Sequence, residues 1–150
     1  MQTDLKSLCE GSEISGRRYT ATPERIQWYG NCVLSASTGQ LRVLGSNIHT
    51  DGEYAKQQGL PDAVADGMIS ANLLSTMLVD VFGRYYLEGG ELRCKFIKPV
   101  LPNEIIAVKG RVEGVKQVNP RSRELTLKVW CEDGAGTLKT EGDARITIVE

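Results

Sequence analysis

Histidine occurs once in these 150 residues, at His49, and that scarcity makes a zinc site of the usual type unexpected. Protein zinc sites draw on histidines and cysteines at short spacing. The four cysteines (Cys9, Cys32, Cys94, Cys131) are far apart and include no C-x-x-C pair, so no metal site is expected. A dominant charge is missing too: 18 Lys and Arg stand against 19 Asp and Glu, a net charge of −1. Such a chain has no field to gather nucleic acid or an anionic membrane surface, and neither partner is expected. The opening residues, Met-Gln-Thr-Asp-Leu-Lys, hold no apolar run, so no signal peptide is expected. A cytoplasmic location with reduced thiols follows as the default. The longest apolar stretch, residues 67–83, is shorter than the roughly 20 residues needed to cross a bilayer. It also carries Asn72 and Asp80, which are costly in lipid. Repeats, low-complexity tracts and linkers are absent, which predicts one domain over residues 1–150.

What is present is ordinary globular composition, 41% hydrophobic and 25% charged. Residues 13–19 predict a short strand. Thr22-Pro23-Glu24 predicts a helix start, with a hydroxyl cap, a proline at the first helical position and an acid at the positive dipole end. That helix carries Ile26, Trp28 and Tyr29, and Gly30 is placed to stop it; residues 31–46 read mainly as loop. Thr50-Asp51-Gly52-Glu53 has the form of a capping box ahead of a helix through Gln58. Residues 67–83 place apolar side chains around most of a helix's circumference, which predicts a buried central helix. Asp66 is placed to cap it.

Downstream the period changes to two. Alternation predicts strands at 92–97, 106–118, 125–131 and 144–148, with Asp133-Gly134-Ala135-Gly136 turning into the last. Strands joined by short turns are antiparallel, and their apolar face must cover something. The expected fold is α+β, a curved antiparallel sheet wrapped around one long central helix at about residues 67–83. Cys94 and Cys131 are expected as buried thiols, while a bridge between Cys9 and Cys32 stays open. Trp28, Tyr85 and Tyr86 are expected to be packing groups.

Histidine can act as acid or base near neutral pH. His49 lies between a long loop and one helix start, with a second helix start at Asp66-Gly67 soon after. A helix start offers unpaired N–H groups. The N–H of Gly67 or Met68, facing a cleft, could polarise a thioester carbonyl and hold an enolate-like oxygen. Together with a base, this describes proton abstraction beside a carbonyl, or water addition to a conjugated one.

Asn-Ile-His-Thr-Asp (residues 47–51), Tyr54-Ala55-Lys56-x-x-Gly59-Leu60 and Asp66-Gly67-Met68 resemble the MaoC-like branch of the hot-dog superfamily. That branch contains R-specific enoyl-CoA hydratases and hydroxyacyl dehydratases. Phe96-x-x-Pro-Val100, Asn103-Glu104 and the Val-x-Gly-x-Val strand from Val108 to Val112 extend the match. The resemblance implies a hot-dog fold and a hydratase or dehydratase acting on an acyl thioester, presented by coenzyme A or a carrier protein. It implies no separate cofactor, and it implies pairing with a second copy or a related subunit.

The family pattern places a catalytic Asp five residues before the catalytic His. His49 matches that His, but the position five before it is Leu44, and Asn47 stands where proline is usual. Asp66, where the family commonly has His, is the first candidate for the missing acid, and Asp51 the second; a capping role competes with both. Ser46, Asn47, Gly67 and Met68 are the candidate oxyanion or substrate contacts. Asn31, Ser35, Ser37 and Thr38 are further candidates for positioning water. Arg93 and Lys95, with Lys98, are candidates for the phosphates of the thioester arm, with exposed sheet charge as the alternative. Two other functions stay open: thioester hydrolysis through Asp66 or Asp51, and a non-catalytic partner subunit.

Overall fold

The structure, a computed structural model, describes residues 4–32 and 47–149, with the Cys32 side chain excepted. Ser46, Leu44, Ser35, Ser37 and Thr38 lie outside the described residues. In chain order the elements are β1 (Glu13–Ser15), β2 (Tyr19–Thr20), α1 (Pro23–Cys32), α2 (Gly52–Gln57), α3 (Gly67–Phe82), α4 (Arg84–Gly89), β3 (Glu91–Phe96), β4 (Ile105–Asn119), β5 (Ser122–Glu132) and β6 (Leu138–Val149).

All strand pairs are antiparallel. The sheet runs β1-β4-β5-β6-β3, with β2 also pairing with β4. Period-two alternation turns Ile106, Val108 and Val112 of β4 inward, with Leu125, Leu127, Val129 and Cys131 of β5 and Ala144, Ile146 and Ile148 of β6, all buried. A register shift between Val112 and Gly114 is the kind of irregularity that bends a strand. Against this concave face lies α3, burying Ile69, Leu74, Met77, Leu78 and Phe82. This is the hot-dog arrangement the sequence predicted. The helix stops at Gly83, whose φ of 53° suits glycine and whose N–H donates to Val79 O at 2.8 Å.

Several local expectations are corrected. The segment 13–19 forms two short strands, each bonded to β4. Gly30 does not stop α1, which continues to Cys32. The cap of α2 is Asp51, not Thr50: its Oδ1 accepts from the Tyr54 N–H at 3.0 Å, so the expected capping box does not form. The helix α4 was not expected. The last strand starts at Leu138, not Ala144, because its first residues pair with β3 and β5. The central helix is not buried all round: Met68, Asn72, Thr76 and Asp80, four residues apart, form an exposed stripe.

Trp28, expected to pack, is 69% exposed. Tyr85 and Tyr86 do pack on the core, with their hydroxyls donating to Val149 O (2.8 Å) and Ser75 Oγ (3.1 Å). Cys9 is a free, exposed thiol, so the bridge to Cys32 is not made. Cys131 is buried and Cys94 half-buried.

Candidate active site

The turn that presents His49 is built by its neighbour. Asn47 Oδ1 accepts from the His49 N–H at 2.8 Å, and Asn47 O accepts from Thr50 (3.2 Å) and Asp51 (3.0 Å). This is an Asx-type turn, the ordinary work of an asparagine between elements. The segment before α3 is then laid beside this turn. Val64 N–H donates to Ile48 O at 2.9 Å, and Ala65 N–H donates to Val100 O at 2.9 Å. These two bonds hold residues 64–66 between the histidine turn and the loop after β3.

The ring of His49 is fixed by the same segment. Its Nδ1 lies 2.7 Å from Val64 O. A carbonyl oxygen only accepts, so Nδ1 carries the hydrogen and Nε2 is left as the basic nitrogen. Nε2 faces Asp66 Oδ2 across 3.7 Å, and the two side chains are only 14% and 10% exposed. The other oxygen, Asp66 Oδ1, accepts from the Met68 N–H at 2.9 Å and so caps α3. The capping role and the approach to His49 are therefore compatible, one oxygen serving each.

These groups open onto a cleft of about 310 Å³, lined by His49, Asp66 and Gly67 and walled mainly by apolar side chains such as Ile48, Val64 and Phe96. The Gly67 N–H has no acceptor among the described residues. The face of Gly67 that a Cβ would occupy is covered by the Phe96 ring, about 3.1 Å away from that position. Glycine thus lets an aromatic wall close against the helix start.

His49, Asp66 and Gly67 are brought together, with Lys98 at the same cleft; the other described sequence candidates do not line it. The Met68 N–H is engaged by Asp66, and the Met68 side chain is half exposed. Asn47 builds the turn and does not line the cleft. Asp51 caps α2. Arg93 and Lys95 alternate outward on β3, opposite Asp143 and Glu141 of β6. Arg93 borders a separate cavity on that outer face, with Glu91, Glu113 and Arg145. Lys98, by contrast, lines the cleft.

Three residues escaped sequence reasoning. Ser70, four positions after Asp66, and Thr140 of β6 line the cleft and are buried. The helical spacing of Ser70 from Asp66 was a usable signal; for Thr140 there was none. Lys139 is the third. Its side chain is 5% exposed, and the ammonium meets Glu104 Oε1 (2.6 Å), Asp133 Oδ2 (3.3 Å) and Pro99 O (3.2 Å). Glu104 Oε2 in turn accepts from the Leu101 N–H at 2.9 Å. The Thr137 N–H, joined by Ala135 and Lys139, holds the Asp133 carboxyl below the usual carboxylate range.

The Cys131 thiol has its Sγ 3.8 Å from the carbonyl oxygen of Ser70, a residue of the cleft. Burial pushes it up to about 12, so it is protonated at neutral pH. Among the described residues no group of three His, Cys, Asp or Glu side chains could hold a metal.

The fold is shared with several solved structures. A MaoC-like dehydratase from Rhodospirillum rubrum superposes with a TM-score of 0.74 at 16% identity, covering 97% of this chain and 96% of that one. An unliganded R-hydratase from Pseudomonas aeruginosa gives 0.67 at 19% identity, covering 97% and 88%. The HadBC 3R-hydroxyacyl-ACP dehydratase complex from Mycobacterium tuberculosis gives 0.66 at 15%, covering 96% and 100%. No curated protein sequence matches the chain. The sequence profile of the MaoC like domain matches residues 46–133, more than half of the chain, and with it the histidine turn, the start of α3 and most of the sheet. The chain belongs to the MaoC-like domain family.

Proposed function

We propose that the chain hydrates an enoyl thioester, or dehydrates the corresponding hydroxyacyl thioester, with His49 and Asp66 as the acid–base pair. The observation that carries this is the approach of His49 Nε2 to Asp66 Oδ2, 3.7 Å apart, beside the Gly67 N–H. That gap is too long for a direct hydrogen bond, and one water can lie at hydrogen-bond distance from both atoms.

In the hydration direction the water oxygen adds to the β-carbon while one of its protons passes to Nε2. The displaced electron pair moves to the thioester oxygen, where the Gly67 N–H stabilises the enolate. The proton held by the pair then returns to the α-carbon, and the carbonyl re-forms. One water is added and nothing else is consumed. The Val64 carbonyl keeps Nδ1 protonated throughout, so the same ring nitrogen takes and gives the proton.

Support comes from the family itself and from structural neighbours described as R-hydratases and a 3R-hydroxyacyl-ACP dehydratase. The substrate arm would be coenzyme A or phosphopantetheine, carried by the substrate and not by the protein. With Arg93 and Lys95 on the outer face, Lys98 is the better placed cation for its phosphates. A cytoplasmic location fits such a substrate.

His49→Ala should leave the fold intact and lower hydration of crotonyl-CoA by about 10²–10⁴-fold, the usual worth of a general acid–base. Loss of conjugation in the ultraviolet reads the rate, and circular dichroism reads the fold. Undiminished turnover in a folded variant would remove His49 from the mechanism.

A further inference from the structure

Two hydroxyls in the cleft have no part in the acid–base step. Ser70 stands one helical turn beyond Asp66 on α3, and Thr140 lies on β6 opposite Phe96 and Cys131. Both residues line the cleft although they are only 3% and 2% exposed. Neither hydroxyl has a hydrogen-bond partner within the described protein. Nor is either sealed away: the one sealed and unpartnered side-chain atom among the described residues is Arg123 Nε. Both hydroxyls therefore meet the cavity.

A buried hydroxyl must find a partner or lose its hydration uncompensated. An alkyl chain filling this cleft would displace water and leave both groups dry. An acyl group with its own hydrogen-bonding atom would satisfy them. Charge narrows the choice. Asp66 stands at the same cleft, Lys98 is the one Lys or Arg among its described lining residues, and the Lys139 ammonium is engaged by Glu104, Asp133 and Pro99 O. Lys98 is exposed. A carboxylate on the acyl chain would bring a second acid beside Asp66, whereas a neutral hydroxyl or amide can both donate to and accept from Ser70 and Thr140.

We propose that Ser70 and Thr140 form a polar floor that selects short acyl groups bearing a neutral hydrogen-bonding group over their alkyl isosteres. This rests on the reading that the cleft receives the acyl part of a thioester.

The test compares 4-hydroxybutyryl-CoA with pentanoyl-CoA, which have equal numbers of heavy atoms, by calorimetric binding to the intact chain. Both are saturated, so neither can be hydrated and affinity is read apart from turnover. The hydroxylated thioester should bind about ten- to a hundredfold more tightly. In the Ser70→Ala, Thr140→Val double variant the ratio should fall to about one, through weaker binding of the hydroxylated ligand alone. Ser70→Ala by itself should lower the ratio if the double variant does not fold. Equal or reversed affinities in the native chain would overturn the proposal, as would an unchanged ratio in the variants or no binding of either ligand. Hydration of trans-2-pentenoyl-CoA is measured beside it. Selective binding without turnover removes the hydratase reading and leaves the floor; turnover without selectivity does the reverse.

Discussion

At the scale of single residues, Asp66 is the side chain on which most depends, because its two oxygens face different groups. Oδ1 caps α3 through the Met68 N–H, and Oδ2 faces His49. Asparagine is as good a cap as aspartate, so Asp66→Asn should hold stability within about 0.5 kcal/mol while removing the charge beside the imidazole. Asp66→Ala should cost about 1 kcal/mol of stability as well, the usual worth of a cap. Urea unfolding of the two variants, set against their hydration rates, separates the roles. Full activity in Asp66→Asn would leave Asp66 as a cap only. His49 and Asp66 were both legible as residue types in context, an isolated imidazole in a motif and an acid at a helix start. Their approach was not legible, since 17 positions separate them and the bonds of Val64 and Ala65 close the gap. Ser70 and Thr140 were missed because an unpartnered hydroxyl is defined by its surroundings and not by its sequence.

At the scale of elements, Lys139 joins three connections: the loop after β3 through Pro99 O, the start of β4 through Glu104, and the β5–β6 turn through Asp133. The first of these loops carries Val100, whose carbonyl holds Ala65 and hence the segment before α3. Replacing Lys139 by Met would leave two carboxylates facing each other without their cation. Breaking a buried ion pair from one side costs about 3–5 kcal/mol. Glu104 and Asp133 are 21% and 15% exposed, so the expected loss lies just below that range, about 2–3 kcal/mol, by urea unfolding. A loss below about 0.5 kcal/mol would make the network incidental. Elements with a strong period were legible: β4, β5 and α3 were found to within a few residues from alternation and apolar content. The division of residues 13–19 into β1 and β2, the helix α4 and the early start of β6 were not. Each of these segments is too short or too polar to carry a period, and each is fixed by what it packs or pairs with.

At the scale of the molecule, the sheet order leaves β3 with a single neighbour, β6, among the described residues. An unpaired edge of backbone donors and acceptors is a template for another strand. Phe96 and Ile97, just at its end, are 55% and 44% exposed. We propose that this edge pairs with a second copy or with a related subunit. Sedimentation equilibrium at micromolar concentration should give twice the chain mass if copies pair. A monomer that gains mass only with a related hot-dog chain points to a heteromer, and a monomer under both conditions removes the proposal.

The sequence by itself determined the fold class, the family and the identity of the candidate base. Periodicity and helix-start chemistry are local properties, written wherever a few neighbouring residues agree. Tertiary structure alone decided which acid faces His49, which nitrogen of its ring is basic, and which helix-start N–H is left to act on a ligand. It alone sent Arg93 and Lys95 to the outer face and turned Ser70 and Thr140 into the cleft. Those outcomes are distances and burials between residues far apart in the chain, and they follow from packing a curved sheet on one helix.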